Sequence, residues 1–207
     1  MMPAARESLL DAAYAALTRR PWSAVRMVDV AAAAGVSRQT LYNEFGSKDG
    51  LARALVRREA DGYLAGFDRA LTVHHDPRDP RDRLTAAAEW TVAAAAGNAL
   101  VRALLTGCWS ERLPSPTLVR IRSGSAVPAQ RRADGPLPSP ADLVALVRDR
   151  AVAVLAGPGV PRTDTAELAR SCELVVRLAL SCVAAPPPTE GGIADLVRRA
   201  LSRQPMP

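Results

Sequence analysis

Lysine occurs once in the 207 residues, histidine twice and cysteine three times, and aromatic side chains make up only 4% of the chain. Each scarcity excludes something. His74 and His75 sit side by side in one stretch, so no Ser/His/Asp or Cys/His set is suggested for nucleophilic catalysis. A glycine-rich phosphate loop is also missing. Accordingly no catalytic residue, metal site or cofactor is expected, and the chain does not read as an enzyme. Cys108, Cys172 and Cys182 have neither the paired spacing of a zinc site nor the number of a secreted disulfide scaffold. On one helix Cys172 and Cys182 would lie about 15 Å apart, too far for a bridge, so reduced thiols are expected.

With so few aromatics, an apolar content of 48% leaves the interior to Ala, Leu and Val. Abundant Ala and Leu favour helix, so the expected fold class is all-α. Glu7 and Asp11 lie where an export signal would be apolar. The longest apolar tract, residues 86–107, is interrupted by Glu89, Asn98 and Arg102, which fits a buried helix better than a membrane span. Neither a membrane partner nor export is expected. The net charge of +6 and pI near 10.0 suit a polyanionic partner. Its distribution says more than its total: residues 1–60 carry nine Lys and Arg against six Asp and Glu, more than twice the density of positive excess in the rest.

Periodicity and punctuation divide the chain. Residues 6–19 place Leu10, Ala13, Tyr14 and Leu17 at helical spacing, closed by Arg19-Arg20-Pro21. A short second helix carries Met27, Val30, Ala31 and Ala34 on one face and ends at Gly35. Ser37 is an N-cap for a third, with Val36 and Leu41 spaced as a hydrophobic staple. Gly46-Ser47-Lys48 closes it and opens a helix over about 48–71, with Leu51, Leu55, Tyr63 and Phe67 as inward candidates. The stretch TVHHDPRDPRDR reads as a linker, and helices resume over 81–97 and 98–107. Six prolines in 114–140 exclude a long helix there and leave room for one turn-rich element around Thr117–Arg122. Beyond it, 141–156 is helical with Leu143, Val144, Val147 and Val154 apolar, closed by Gly157-Pro158-Gly159. Thr163 caps a helix to 184, Pro186-Pro187-Pro188 stops it, and a last helix spans 190–203.

Two short helices joined through Gly35-Val36-Ser37 form a helix-turn-helix arrangement, whose second helix lies in the DNA major groove. On a helical wheel Arg38 and Tyr42, with Gln39 and Asn43, are i,i+4 pairs on one outward face, while Leu41 and Phe45 point inward. Arg suits guanine, and Gln or Asn suits adenine. Thr40, Tyr42, Lys48 and the cap at Ser37 suit phosphate oxygens.

The segment VDVAAAAGVSRQTLYNEFGSKDGLARAL, residues 28–55, resembles the DNA-binding domain of the TetR family of transcriptional regulators. The turn Ala-Gly-Val-Ser, the Thr40-Leu41-Tyr42 of the recognition helix and Phe45-Gly46-Ser47-Lys48 carry the resemblance. It implies a cytoplasmic, nucleoid-associated bacterial protein with a helix-turn-helix domain, residues 1–48, joined by a long helix to a ligand-binding and dimerisation domain, 49–207. It also implies a homodimer on a palindromic operator and repression relieved by a small, mostly apolar effector. An activator, or a DNA-binding protein without effector, is the alternative. Two positions depart from the family pattern: Arg26 where helix two often begins with Thr or Ser, and Glu44, whose carboxylate a nearby phosphate would repel. A solvated or arginine-paired Glu44 is expected. Trp90, Thr91, Arg102, Thr106, Cys108 and Trp109 are the candidates for an effector site, because apolar pockets with few polar anchors take small molecules. For the dimer interface the candidate is the stripe Leu168, Cys172, Val175, Val176, Ala179 and Val183, wider than one core contact needs.

Overall fold

The computed structural model describes residues 3–72, 79–114, 137–156, 162–186 and 192–202. Every regular element among them is helical: α1 (Pro3–Arg19), a single 3-10 turn (Trp22–Ala24), α2 (Met27–Ala33), α3 (Arg38–Phe45), α4 (Lys48–Thr72), α5 (Pro80–Gly97), α6 (Ala99–Thr106), α7 (Pro140–Leu155), α8 (Arg162–Ala184) and α9 (Gly192–Leu201). Two compact units result. The first takes the chain up to Glu59 together with the segment beginning at Trp109, and the second takes Ala60–Cys108 and the chain from Pro138 onward. Helix α4 therefore gives its first half to one unit and its second half to the other.

In the first unit α1 packs on α2 and α3, and α2 packs on α3. The core is aliphatic, as scarce aromatics require: Leu9, Leu41, Leu51 and Leu55 are fully buried. Arg58 of α4 donates to Asp11 of α1 at 2.7 Å and pairs with Glu59 at 3.0 Å, which ties the first and fourth helices at their rims. The backbone N–H of Trp22 donates to the carbonyl of Arg112 at 2.8 Å. A segment far along the chain thus completes this unit.

The second unit sets α5 against α6, α8 and α9, and α8 against α6, α7 and α9. Its helix ends follow the punctuation. Asn98 leaves helical geometry, and its side-chain oxygen accepts from the N–H groups of Leu100 and Val101 at 2.9 and 3.3 Å, so the 86–107 tract breaks into two helices. Gly107, at φ +73°, ends α6. Ser139 and Asp142 form a reciprocal capping box at the start of α7. Hydrogen bonds from the Ser139 hydroxyl and backbone hold the Asp142 carboxyl below its ordinary range.

Some sequence expectations need correction. On α7 Leu143, Val144, Val147 and Ala151 are buried, while Val154 stays on the same face but, in the last turn before the helix ends at Leu155, is only half-buried. Helix α8 already includes Arg162, so Thr163 stands within its first turn and is not its cap. Helix α9 is described over Gly192–Leu201, and the expected ends at 190 and 203 lie outside the described residues. His74, His75, the 117–122 element and Gly157-Pro158-Gly159 lie outside the described residues.

Candidate nucleic-acid interface

Glycine and serine place α3. At Gly35, φ is +68°, a left-handed conformation that side chains resist. Val36 N–H returns to the Ala31 carbonyl at 3.0 Å and Gly35 N–H to that of Ala32 at 3.2 Å, the paired bonds that close a helix on a left-handed residue. Two residues later Ser37 is extended, and its Oγ accepts from Thr40 N–H at 3.0 Å. That bond is worth about 1 kcal/mol to the helix end. Gly46, at φ +69°, ends α3, and the Ser47 hydroxyl accepts from Gly50 N–H at 3.0 Å to begin α4.

Between those caps α3 divides as the wheel requires. Leu41 and Phe45 are buried, whereas Arg38, Gln39, Tyr42 and Asn43 are exposed, Tyr42 at 47%. The Gln39 side-chain amide donates to the Asn43 carbonyl oxygen at 2.8 Å, so the two face solvent as one hydrogen-bonded pair. Ser37 Oγ and Thr40 Oγ1 lie 2.8 Å apart, within the cap itself. Lys48 is more occupied than its sequence position suggests. Its ammonium donates to the Ser23 carbonyl at 3.1 Å and sits 5.6 Å from the centre of the Trp22 ring. Partial burial lowers its pKa.

Both departures from the family pattern have a structural answer. Arg26 caps α2 with its backbone conformation only, and its side chain instead donates to Asp29 at 3.1 and 3.2 Å. Arg20 reaches the same carboxylate at 3.2 Å. The hydrogen bond from Arg26, ahead of other causes, holds the Asp29 carboxyl low. Glu44 is paired: Arg6 lies 3.6 Å from its carboxylate and stacks over the Phe45 ring at 4.8 Å.

Residues 9–55 match the model of the family described as "Bacterial regulatory proteins, tetR family". The HTH-type transcriptional regulator AlkX of Mycobacterium tuberculosis is 33% identical over 195 residues, covering 93% of this chain and 82% of that protein. The chain belongs to the TetR family. It is a DNA-binding transcriptional regulator. The HTH-type transcriptional activator FasR of Mycolicibacterium smegmatis is 38% identical over 84 residues, 41% of this chain and 37% of that one. Among solved structures, the TetR family repressor AlkX from a Dietzia species, implicated in biodegradation of n-alkanes, superposes with a TM-score of 0.54 at 24% identity over 94% of this chain and 92% of that one. This TetR-family chain shares that all-helical fold. Among its described residues no helix is long and apolar enough to cross a membrane.

The structure divides the six residues nominated for an effector. Trp90 and Thr91 of α5 meet α4: the indole N–H donates to the Tyr63 carbonyl at 3.3 Å, and the Thr91 hydroxyl lies 3.1 Å from the Tyr63 hydroxyl. Trp90 packs against Gly66, where a Cβ would collide with the indole ring. Arg102 donates to the Ala95 carbonyl at 3.1 Å and closes α5. Thr106 donates to the Arg102 carbonyl at 2.8 Å and accepts from Cys108 N–H at 3.2 Å, while the Cys108 side chain is exposed. Trp109 belongs to the first unit. Of the partners of Trp90 and Thr91, the sequence marks Tyr63 only as an inward position and does not mark Gly66 at all. Of the proposed dimer stripe, Leu168, Cys172, Val175, Val176 and Ala179 are buried within one chain, and Val183 is half-buried.

Burial pushes the Tyr63 phenol from 10.0 up to about 12, against a smaller opposing effect of its bond with Thr91. A pKa raised on folding stabilises the protein fully below pH 10.0, and this contribution disappears as pH rises from 10.0 to about 12. Burial moves Cys172 the same way, from 9.0 to about 12, so Tyr63 needs its own control. Urea unfolding of the native chain should weaken steeply over this alkaline range. Tyr63→Phe should start about 1 kcal/mol less stable, for the lost hydrogen bond, and fall less steeply. Parallel pH curves for the two proteins would refute this assignment.

Proposed function

We propose that the protein is a homodimeric repressor that reads a palindromic operator with α3 and is released by a small, mostly apolar effector bound in the second unit. What supports this most is the division of α3 into an exposed polar edge and a buried apolar one. In this reading Arg38 pairs with guanine, and Gln39 and Asn43 with adenine. Ser37, Thr40, Tyr42 and Lys48 meet phosphates and fix the register. The bond from Lys48 to Ser23 leaves this role open, because an ammonium has three N–H donors.

One helix-turn-helix makes few contacts, and two-fold pairing doubles them on half-sites about 34 Å apart. With most of the wide stripe of α8 buried inside its own chain, apolar positions open to a second copy include the half-buried Leu174, Leu178, Leu180 and Val183 of α8 and the exposed Leu146 of α7 and Leu196 of α9. The repressor named in the Dietzia structure supports negative control and an apolar ligand class. FasR, named an activator, supports the opposite sign.

Selection of bound fragments from the source genome by the purified chain, followed by a salt titration of the best duplex, tests the reading. A palindrome with a steep salt slope is expected, as are release by n-alkanes and a rise in reporter transcription when the regulator is removed. Weak binding uniform across fragments would overturn palindromic recognition. A fall in reporter transcription would assign an activator.

A further inference from the structure

The first unit carries a positive excess, so an arginine near the recognition helix is most simply read as a phosphate contact. Arg6 does not have the geometry of one. Its guanidinium lies 4.8 Å from the centre of the Phe45 ring and 3.6 Å from the Glu44 carboxylate, and its side chain is 29% exposed. Face and edge of the cation are thus both engaged by the last turn of α3. Glu44 in turn is only 11% exposed and sits on the helix that approaches the DNA.

We propose that Arg6 is a positioning residue for operator recognition: from α1 it clamps the C-terminal turn of α3 and neutralises Glu44, without contacting phosphate itself. The arrangement fits three facts of chemistry. A planar guanidinium can stack on an aromatic face and pair with a carboxylate at its edge, which an ammonium does less well. Phe45 is buried, so the ring is a fixed platform. A carboxylate near the DNA backbone would weaken binding unless a cation is held beside it. Arg6 supplies that cation from another helix, so the recognition helix carries its own charge correction only when docked on α1.

This proposal rests on the reading of α3 as the DNA-recognition helix, and its test has an arm that needs no DNA. Native-state hydrogen exchange of the full chain comes first: Arg6→Ala should raise exchange across residues 41–45 and leave the second unit unchanged. The second arm uses the duplex recovered by wild-type selection. Arg6→Ala should weaken it about tenfold, in part from the clamp on α3 that is lost and in larger part from the Glu44 charge left without its cation. Arg6→Lys should fall between, and Glu44→Gln in the Arg6→Ala background should restore much of the affinity without restoring exchange protection. A phosphate contact gives a different result: no rescue by Glu44→Gln, and unchanged exchange in α3. Any of these overturns the proposal, as does raised exchange with undiminished affinity. If the wild-type chain selects no duplex, the recognition reading fails by itself, while the exchange arm still decides whether Arg6 holds α3.

Discussion

Replacing both Gln39 and Asn43 by alanine should lower affinity for the best duplex by at least two orders of magnitude and leave binding to unrelated DNA intact. Each amide pairing with a base edge is worth about 1–3 kcal/mol of discrimination, and in a two-fold complex each substitution acts twice. Neither side chain carries charge, so the slope of log affinity against log salt should not change. The two residues are also bonded to each other at 2.8 Å, which makes the single variants informative. Asn43→Ala deprives the Gln39 amide of the partner that orients it, so part of what Gln39 contributes is lost as well. The two single losses should therefore sum to more than the double loss. Titrations of matched and scrambled duplexes by fluorescence anisotropy measure all of this. A double variant that weakens every duplex alike would mean these amides do not read bases.

Gly66→Ala should destabilise the chain by about 1–2 kcal/mol, although alanine is the better helix former by about 1 kcal/mol. The reason is Trp90: a Cβ at 66 would fall within the radius of the indole Cζ2 and Cε2 and 2.9 Å from Cη2. Overpacking of this kind costs about 1–3 kcal/mol, and displacing the ring also strains the indole bond to the Tyr63 carbonyl. For a domain of this size a loss of 1 kcal/mol lowers Tm by roughly 2–4 °C. Gly66→Leu should cost more. Combining Gly66→Ala with Trp90→Leu should cost less than the sum of the two changes, because the smaller side chain makes room. A more stable Gly66→Ala protein would show that propensity wins and that the ring yields freely.

The sequence spoke most clearly where one residue type has a single conformational use. Gly35, Ser37 and Gly46 mark helix ends by backbone freedom or by a side-chain acceptor, and they place α3 to the residue. Leu41 and Phe45 against Arg38, Gln39, Tyr42 and Asn43 fix its rotation, because only one orientation buries the first pair. Partnerships across the chain were less legible. Periodicity reports that a face is apolar, not what covers it. The stripe from Leu168 to Ala179 therefore looked like surface for a second copy and is packed inside its own chain. Likewise nothing local in Lys48 announces Ser23 and Trp22, which lie on the 3-10 turn before α2. Glu44 was recognised as needing a cation, but its supplier, Arg6, stands near the other end of the unit.

The bond between Trp22 N–H and the Arg112 carbonyl bears on how the chain is made. During synthesis the first sixty residues leave the ribosome with every helix-turn-helix signal in place, yet the amide of the buried Trp22 has no carbonyl to meet until α5 and α6 have followed. Closing so long a loop is slow and entropically costly compared with the local contacts of α1–α3. The first unit is therefore completed late. A nascent chain stalled before Arg112 would lack this bond, worth about 0.5–1.5 kcal/mol, and would hold α1–α3 in a weaker, more easily unfolded form.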